Sequence, residues 1–215
     1  IIRFDNRGMG RSSSSNSPYS LKQMANDAAA LLEKLAIDKV HIIGHSMGGK
    51  VAMTLVDIAP ELVKQLVVLD MAPVAYTANR HDNVFNGLHA VINEKPASRQ
   101  QAMDILAQHV EIDGVRQFLS KSLYKNGDKM DWRFNVPSLF ENYAQIIGWQ
   151  EIAPTDIPTL FIKGGDSDYL MPEHQPAVQK QFKQAKAHII ANTGHWLHAE
   201  KPAEVMRVIR KYISS

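Results

Sequence analysis

Apolar residues follow two different spacings along this chain, and the two spacings alternate. Short apolar runs of strand type occupy residues 40–44, 66–70, 159–163 and 187–191. Segments with a single apolar stripe at helical spacing occupy residues 21–35, 47–59 and the stretch after Pro202. Buried strands in alternation with amphipathic helices predict a mostly parallel sheet covered by helices on both faces, an α/β fold.

The pattern changes between residues 74 and 149, where strand-type runs vanish and helix-type segments appear over 99–110 and 113–124. We interpret residues 74–149 as a helical cap, or lid, inserted between two strands of a core formed by residues 1–73 and 150–215. The first residues, "IIRFDNRG", read as part of a strand and lack an initial Met. We therefore expect that the first strands of the sheet precede residue 1.

Composition narrows the classes of function. The chain has 215 residues and a formal net charge of +2 without a dense run of Lys or Arg, so nucleic acid is not the expected partner. No apolar run reaches the roughly 18 residues that indicate a membrane-spanning helix. The chain has no Cys, which excludes disulfides and a thiol nucleophile and fits a cytoplasmic location.

A serine stands at the joint between a predicted strand and a predicted helix. It is Ser46 in Gly44-His45-Ser46-Met47-Gly48, a Gly-x-Ser-x-Gly sequence that is typical of a nucleophile elbow. We expect both glycines to be required because the strand and the helix pass close together. The backbone N–H of Met47, at the helix start, is the expected oxyanion donor. The alternative is a serine that merely caps the helix.

A serine nucleophile needs a general base, and a histidine is the side chain whose pKa suits neutral pH. His195 follows the last predicted strand in a glycine-containing loop. Loops at the carboxyl ends of parallel strands share one edge of the sheet, so His195 is expected to reach Ser46. A metal site built on His195 and His198 is not favoured.

Three aspartates could serve as the acid that orients His195. Asp70 ends an apolar strand one strand away from the elbow, and an aspartate is costly at such a position unless it has a partner. Asp166 and Asp168 lie in "GGDSDY", a turn-like segment in which an aspartate is ordinary. We favour Asp70 and keep Asp166 and Asp168 as alternatives.

Taken together, these motifs resemble the α/β-hydrolases, and the resemblance covers nearly the whole chain. It rests on "DNRGMGRS" at residues 5–12, the Ser46 elbow, the strand ending in Asp70 and "GHWLHAEKP" at residues 194–202. More narrowly, the chain is similar to small bacterial esterases of the YbfF type and their mitochondrial relatives, in which the acid maps onto Asp70. In that family a His-Gly motif ahead of residue 1 supplies the second oxyanion N–H.

The resemblance implies a serine esterase that hydrolyses short- to medium-chain acyl esters or acyl-CoA thioesters through an acyl-enzyme. The expected partner is therefore a small acyl ester or thioester, and no cofactor or metal is implied. Aromatic residues that we expect to line an acyl pocket are Tyr76, Phe85, Phe118, Phe134 and Tyr143. The alternatives are another activity of this fold (C–C bond hydrolysis, lactone hydrolysis or perhydrolysis) and a ligand-binding relative without turnover.

Overall fold

The computed structural model describes residues 1–14, 18–77 and 81–215 and divides the chain into two compact units. One unit contains Ser20–Tyr76 and Gln145–Ser215 and carries the parallel sheet; we call it the sheet unit. The other contains Ile1–Tyr19 and Thr77–Ala144, and we call it the cap unit.

Strands and helices follow one another along both units. The strands are β1 (Val40–His45), β2 (Val63–Leu69), β3 (Leu123–Asn126), β4 (Lys129–Trp132), β5 (Thr159–Gly164) and β6 (Ala185–Ile190). The helices are α1 (Leu21–Lys34), α2 (Met47–Ile58), α3 (Asp82–Glu94), α4 (Arg99–Ala107), α5 (Asp113–Ser120), α6 (Val136–Glu141), α7 (Tyr143–Ile147), α8 (Gln175–Gln181), α9 (Leu197–Glu200) and α10 (Pro202–Ile213).

The sheet unit is built on four parallel strands in the order β1-β2-β5-β6. Successive side chains of a strand point to opposite faces, and both faces of β2 are covered. Val67 and Leu69 belong to a buried cluster with Ile209 of α10, whereas Val68 faces the backbone of α2 at Gly49. The predicted parallel sheet with helices on both faces is therefore confirmed. The parallel strands all end at the same edge, which places the segments after β1, β2, β5 and β6 together.

The cap unit contains a β-hairpin that the sequence pattern did not predict. The expected helix over 113–124 ends at Ser120, and β3 and β4 pair antiparallel, Leu123 opposite Trp132. The two strands are joined by the turn residues Gly127 and Asp128, with Asn126 opposite Lys129, and Gly127 has a φ of +63°. A two-residue hairpin turn favours glycine at a position with positive φ, and here this turn outweighs the helical spacing of the preceding residues.

Across residues 1–14, 18–77 and 81–215, none of the helices combines the length and the apolar character that a bilayer crossing requires.

A buried lysine joins the two points at which the chain leaves and re-enters the sheet unit. The Lys50 side chain on α2 is only 1% exposed, and its Nζ donates to the carbonyls of Val74 (2.8 Å), Ile147 (2.5 Å) and Gly148 (2.9 Å). The ammonium also lies 4.7 Å from the centre of the Tyr76 ring. Burial lowers the pKa of Lys50 from 10.5 to about 7.

This depressed pKa makes the stability of the fold depend on pH in a defined direction. Between the folded value near 7 and the unfolded value near 10.5, the unfolded chain binds one more proton at this site, so the free energy of unfolding rises with pH. Replacing Lys50 with Met removes this contribution.

We therefore expect the free energy of unfolding of the wild type, relative to Lys50→Met, to increase between about pH 7 and about pH 9, at up to about 1.4 kcal/mol per pH unit. Urea denaturation of both proteins over this range measures the difference. Parallel pH dependences would contradict a lowered pKa at Lys50.

Candidate active site

Ser46 stands at a sharp turn between β1 and α2. Its φ of 54° and ψ of −123° are rarely adopted by residues other than glycine, so the turn is strained. The strain is held in place because the Ser46 N–H donates to the carbonyl of Leu69 (3.1 Å) at the end of β2. The Ser46 side chain makes no capping hydrogen bond to α2, which removes the helix-cap alternative.

The glycines around Ser46 are not equivalent, and one expectation is wrong. A Cβ at Gly44 would lie 2.2 Å from the Gly48 carbonyl oxygen, so the close passage of helix and strand requires glycine there. A Cβ at Gly48 would meet nothing within 4 Å, because this residue faces away from the strand. The third glycine, Gly49, packs instead: its Cβ would lie 3.0 Å from Val68 Cγ1.

The imidazole of His195 lies between Ser46 and Asp70. Its Nδ1 is 2.8 Å from Asp70 Oδ2, and its Nε2 is 2.9 Å from Ser46 Oγ. An ionised carboxylate only accepts hydrogen bonds, so Nδ1 carries the proton. Nε2 then has a free lone pair and accepts the hydrogen bond of the Ser46 hydroxyl, which is the arrangement that a general base needs.

The Asp70 carboxylate is completely buried and yet ionised. Oδ1 accepts the N–H of Gly164 (3.0 Å), and Oδ2 accepts both the Ser167 hydroxyl and His195 Nδ1–H. Burial by itself would raise the pKa of Asp70. The hydrogen bonds from His195, Ser167 and the Gly164 N–H, together with the charge of His195, outweigh burial and lower this pKa below its usual value.

The two alternative acids lie elsewhere. Asp166 and Asp168 are exposed on either side of the buried Ser167 in the segment after β5. His195 Nδ1 meets Asp70 rather than either of them. The strand-end position of Asp70, where its φ is +48°, directs its carboxylate toward β5 and the His195 loop.

His45 precedes the serine and holds the backbone of the His195 loop. Its Nε2 lies 2.8 Å from the His195 carbonyl oxygen, and because a carbonyl only accepts, this nitrogen carries the proton. Burial and the neighbouring rings of His195 and His198 lower the pKa of His45 from 6.5 to about 3. The ring is therefore neutral at neutral pH, and the His45 and His195 rings carry their protons on opposite nitrogens.

Sequence reasoning missed two residues of this site, Ser167 and Tyr169. The Tyr169 ring stacks on the His195 imidazole, with centroids 3.8 Å apart and planes at 21°. Both residues lie in the turn-like segment "GGDSDY", beside the two candidate aspartates Asp166 and Asp168. A possible signal was the position of this segment directly after β5, at the same sheet edge as Asp70.

The other residues singled out from the sequence keep predicted roles only. Met47 is the first residue of α2, so its N–H lies among the helix-start donors without an intrahelical acceptor; its oxyanion role stays a prediction.

Among the aromatics, Phe85 packs edge to face against Tyr143 in the interior of the cap unit, and Phe134 stacks on Trp132. Tyr76 lies in the sheet unit, and Phe118 is exposed. Their role in an acyl pocket also stays a prediction.

In the described part of the chain, no group of three or more His, Cys, Asp or Glu side chains is arranged to hold a metal ion.

Comparisons with known proteins agree with this geometry. Residues 1–202 match the family model described as the alpha/beta hydrolase fold. The chain is 44% identical to the esterase YbfF of Escherichia coli (strain K12), over 100% of this chain and 82% of that protein. It is 34% identical to the sn-1-specific diacylglycerol lipase ABHD11 of Mus musculus, over 100% of this chain and 71% of that protein. The solved structure of a marine microorganism esterase matches with a TM-score of 0.91 at 30% identity, covering 97% of this chain and 82% of that one.

The chain therefore belongs to the α/β-hydrolase family. Within that family it is an enzyme of the esterase and lipase type.

The unequal packing of the two elbow glycines gives a matched pair of variants. We expect Gly44→Ala to lower the free energy of unfolding by about 2 kcal/mol or more, because its Cβ would overlap the helix backbone. Gly48→Ala has open space and gains helix propensity, so we expect a change between zero and about 1 kcal/mol of stabilisation. Thermal and urea unfolding measure both, and equal destabilisation by the two alanines would contradict the elbow geometry.

Proposed function

We propose that this enzyme hydrolyses short- to medium-chain acyl esters and acyl-CoA thioesters through an acyl-enzyme formed on Ser46. The observation that carries the proposal is the unbroken hydrogen-bond series from Asp70 through His195 to Ser46 Oγ, with distances of 2.8 Å and 2.9 Å. The direction of these hydrogen bonds supports the proposal as much as their distances do, because Nε2 of His195 is the nitrogen without a proton.

In the acylation step, Ser46 Oγ attacks the acyl carbonyl carbon while His195 Nε2 takes the hydroxyl proton. The carbonyl oxygen becomes an oxyanion, and the Met47 N–H at the start of α2 donates to it. Asp70 stabilises the imidazolium that forms. When the tetrahedral intermediate collapses, the carbonyl re-forms, the bond to the leaving alcohol or thiol breaks, and His195 Nε2–H protonates the leaving group.

In the deacylation step, a water molecule takes the place of the leaving group. His195 Nε2 removes a proton from this water as its oxygen attacks the acyl carbon of the Ser46 ester. Collapse of the second tetrahedral intermediate releases the carboxylic acid, and the proton on Nε2 returns to Ser46 Oγ. The net reaction is ester plus water to acid plus alcohol, or thioester plus water to acid plus thiol.

The substrate class rests on relatives and on sequence resemblance. Relatives named as an esterase and as a diacylglycerol lipase support an acyl ester as the substrate. The acyl-CoA branch rests on the resemblance to YbfF-type enzymes alone. Residues 74–149 are proposed as a helical lid. The cytoplasmic location stays a prediction that rests on the cysteine-free sequence.

Replacing the nucleophile tests the acyl-enzyme directly. We expect the wild type to release a burst of p-nitrophenol from p-nitrophenyl butyrate and to be labelled on Ser46 by a fluorophosphonate. Ser46→Ala should lose the label and lower kcat by about a million-fold, because attack on the carbonyl then falls to water. A labelled Ser46→Ala protein, or undiminished turnover, would overturn the assignment of the nucleophile.

A panel of substrates then separates the branches of the proposal. Aliphatic esters from acetyl to palmitoyl and the matching acyl-CoA thioesters are compared by kcat/KM on the wild type. Ester turnover without thioester turnover would remove the acyl-CoA branch. Turnover of neither class would contradict the proposal and direct attention to lactones, C–C bonds or ligand binding.

A pair of aspartate variants tests the acid. Asp70→Asn keeps the shape of the side chain but no longer fixes the His195 tautomer, and we expect kcat to fall by about 10³- to 10⁴-fold. Asp166→Asn changes an exposed residue, and we expect kcat to stay within about twofold, as for most surface substitutions. The reverse ranking of the two variants, measured on the same ester, would make Asp166 the acid.

A further inference from the structure

We infer that His45 is a positioning residue for the reaction: as a neutral hydrogen-bond donor, its ring holds the peptide plane after His195 and so fixes where the His195 imidazole lies relative to Ser46. This inference rests on the roles proposed above for Ser46 and His195. It extends them to a ring that neither attacks the substrate nor carries a proton to or from it.

His45 connects the nucleophile to the backbone of the base. It is the last residue of β1 and is bonded directly to Ser46, and its Nε2 lies 2.8 Å from the carbonyl oxygen of His195. The pairing of β1 with β2 fixes the backbone of His45 itself, which lies opposite Leu69. The hydrogen bond therefore ties the backbone of the base to a point one residue from the nucleophile.

Holding the His195 carbonyl also fixes the direction of the His195 side chain. The carbonyl carbon and Cβ are bonded to the same α-carbon, and a hydrogen bond to the carbonyl oxygen opposes rotation of the rigid peptide plane about ψ. The imidazole must meet Asp70 Oδ2 at 2.8 Å and Ser46 Oγ at 2.9 Å at the same time. A displacement of about 1 Å in such a geometry can cost about 100-fold in rate.

Other groups hold the part of the loop that precedes the base. The Gly194 N–H donates to the two carboxylate oxygens of Glu200 at 3.2 Å and 3.1 Å. The Thr193 hydroxyl donates at 2.7 Å to the carbonyl three residues before it. His45 adds a contact at His195 itself, so its loss should displace the base while these contacts keep the loop folded.

The ring of His45 must be uncharged for this role. Its centroid is 4.6 Å from that of His195, which becomes an imidazolium when it takes the proton of Ser46. A second cation at this distance would oppose that step, because like charges disfavour one another. Burial and the rings of His195 and His198 lower the pKa of His45 to about 3, so the donor stays neutral while the base changes its charge.

Two amide substitutions test the hydrogen bond. His45→Gln places an amide N–H as many bonds from the α-carbon as histidine Nε2, and we expect kcat for p-nitrophenyl butyrate to stay within about threefold. His45→Asn ends one bond shorter, and we expect kcat to fall by about 10- to 100-fold with little change in KM, because the base is displaced. The rate of Ser46 labelling by a fluorophosphonate should follow kcat, since it reports the reactivity of the serine without turnover.

His41 provides the matched control. Side chains alternate along a strand, so His41 lies on the same face of β1 as His45 but about 13 Å nearer the start of the strand. His41→Gln and His41→Asn should therefore both keep wild-type kcat and the wild-type labelling rate.

A third substitution at the same position tests the charge of the donor. His45→Lys keeps a donor but adds a positive charge next to the imidazolium, and we expect kcat to fall by about tenfold or more. A His45→Lys enzyme with wild-type kcat would show that the donor need not be neutral and would contradict that part of the inference.

The inference is overturned if His45→Asn lowers the melting temperature but keeps kcat and the labelling rate. It is also overturned if His45→Gln and His45→Asn lower kcat by the same factor, because the ring and not the hydrogen bond would then be required. A wild type that shows no ester turnover and no Ser46 label would instead contradict the proposed function, so the two failures are distinguishable.

Discussion

The site depends on one buried negative charge, the carboxylate of Asp70. A charge without exposure is tolerated only when its oxygens are hydrogen-bonded, and here the Gly164 N–H, the Ser167 hydroxyl and His195 Nδ1–H supply the donors. These donors come from segments after different strands, so the carboxylate ties those segments together. Because it accepts from Nδ1, it also leaves Nε2 of His195 without a proton. The hydrogen bonds of the Asp70 carboxylate thus both hold these segments together and set the tautomer of His195.

The backbone conformation at the strand ends places the side chains of the site. Ser46 and Asp70, at the ends of β1 and β2, both adopt positive φ, and each places its side chain above the sheet edge. Gly44 and Gly164 each lie against the backbone of another segment, where a Cβ would come within about 2.2 Å of a carbonyl oxygen. The local strain at Ser46 and Asp70 is maintained by the parallel sheet below them, whose buried apolar strands supply the stability.

Strong local patterns in the sequence were sufficient to predict the sheet and its helices. They also predicted that Ser46, His195 and Asp70 lie at one edge, because the strand ends of a parallel sheet share that edge. The hairpin at Gly127-Asp128 was not predicted because the helical spacing of residues 113–124 continues into β3. Gly48 was misjudged because a pentapeptide pattern does not show which glycine faces the strand. Ser167 meets Asp70 across 97 positions of the sequence and His45 meets His195 across 150, and Tyr169 meets His195 from the segment after another strand. No local periodicity encodes such contacts.

The most direct test of this account is the tautomer of His195, measured by ¹⁵N NMR on protein labelled in its histidine rings, with the resonance assigned by its loss in a His195→Gln variant. We expect the uncharged form of the His195 ring to carry its proton on Nδ1 and to have a bare Nε2, next to a His45 ring with the opposite tautomer. We also expect Asp70→Asn to abolish this preference at His195. A wild-type His195 ring that carries its proton on Nε2 would contradict the central role of the Asp70 carboxylate.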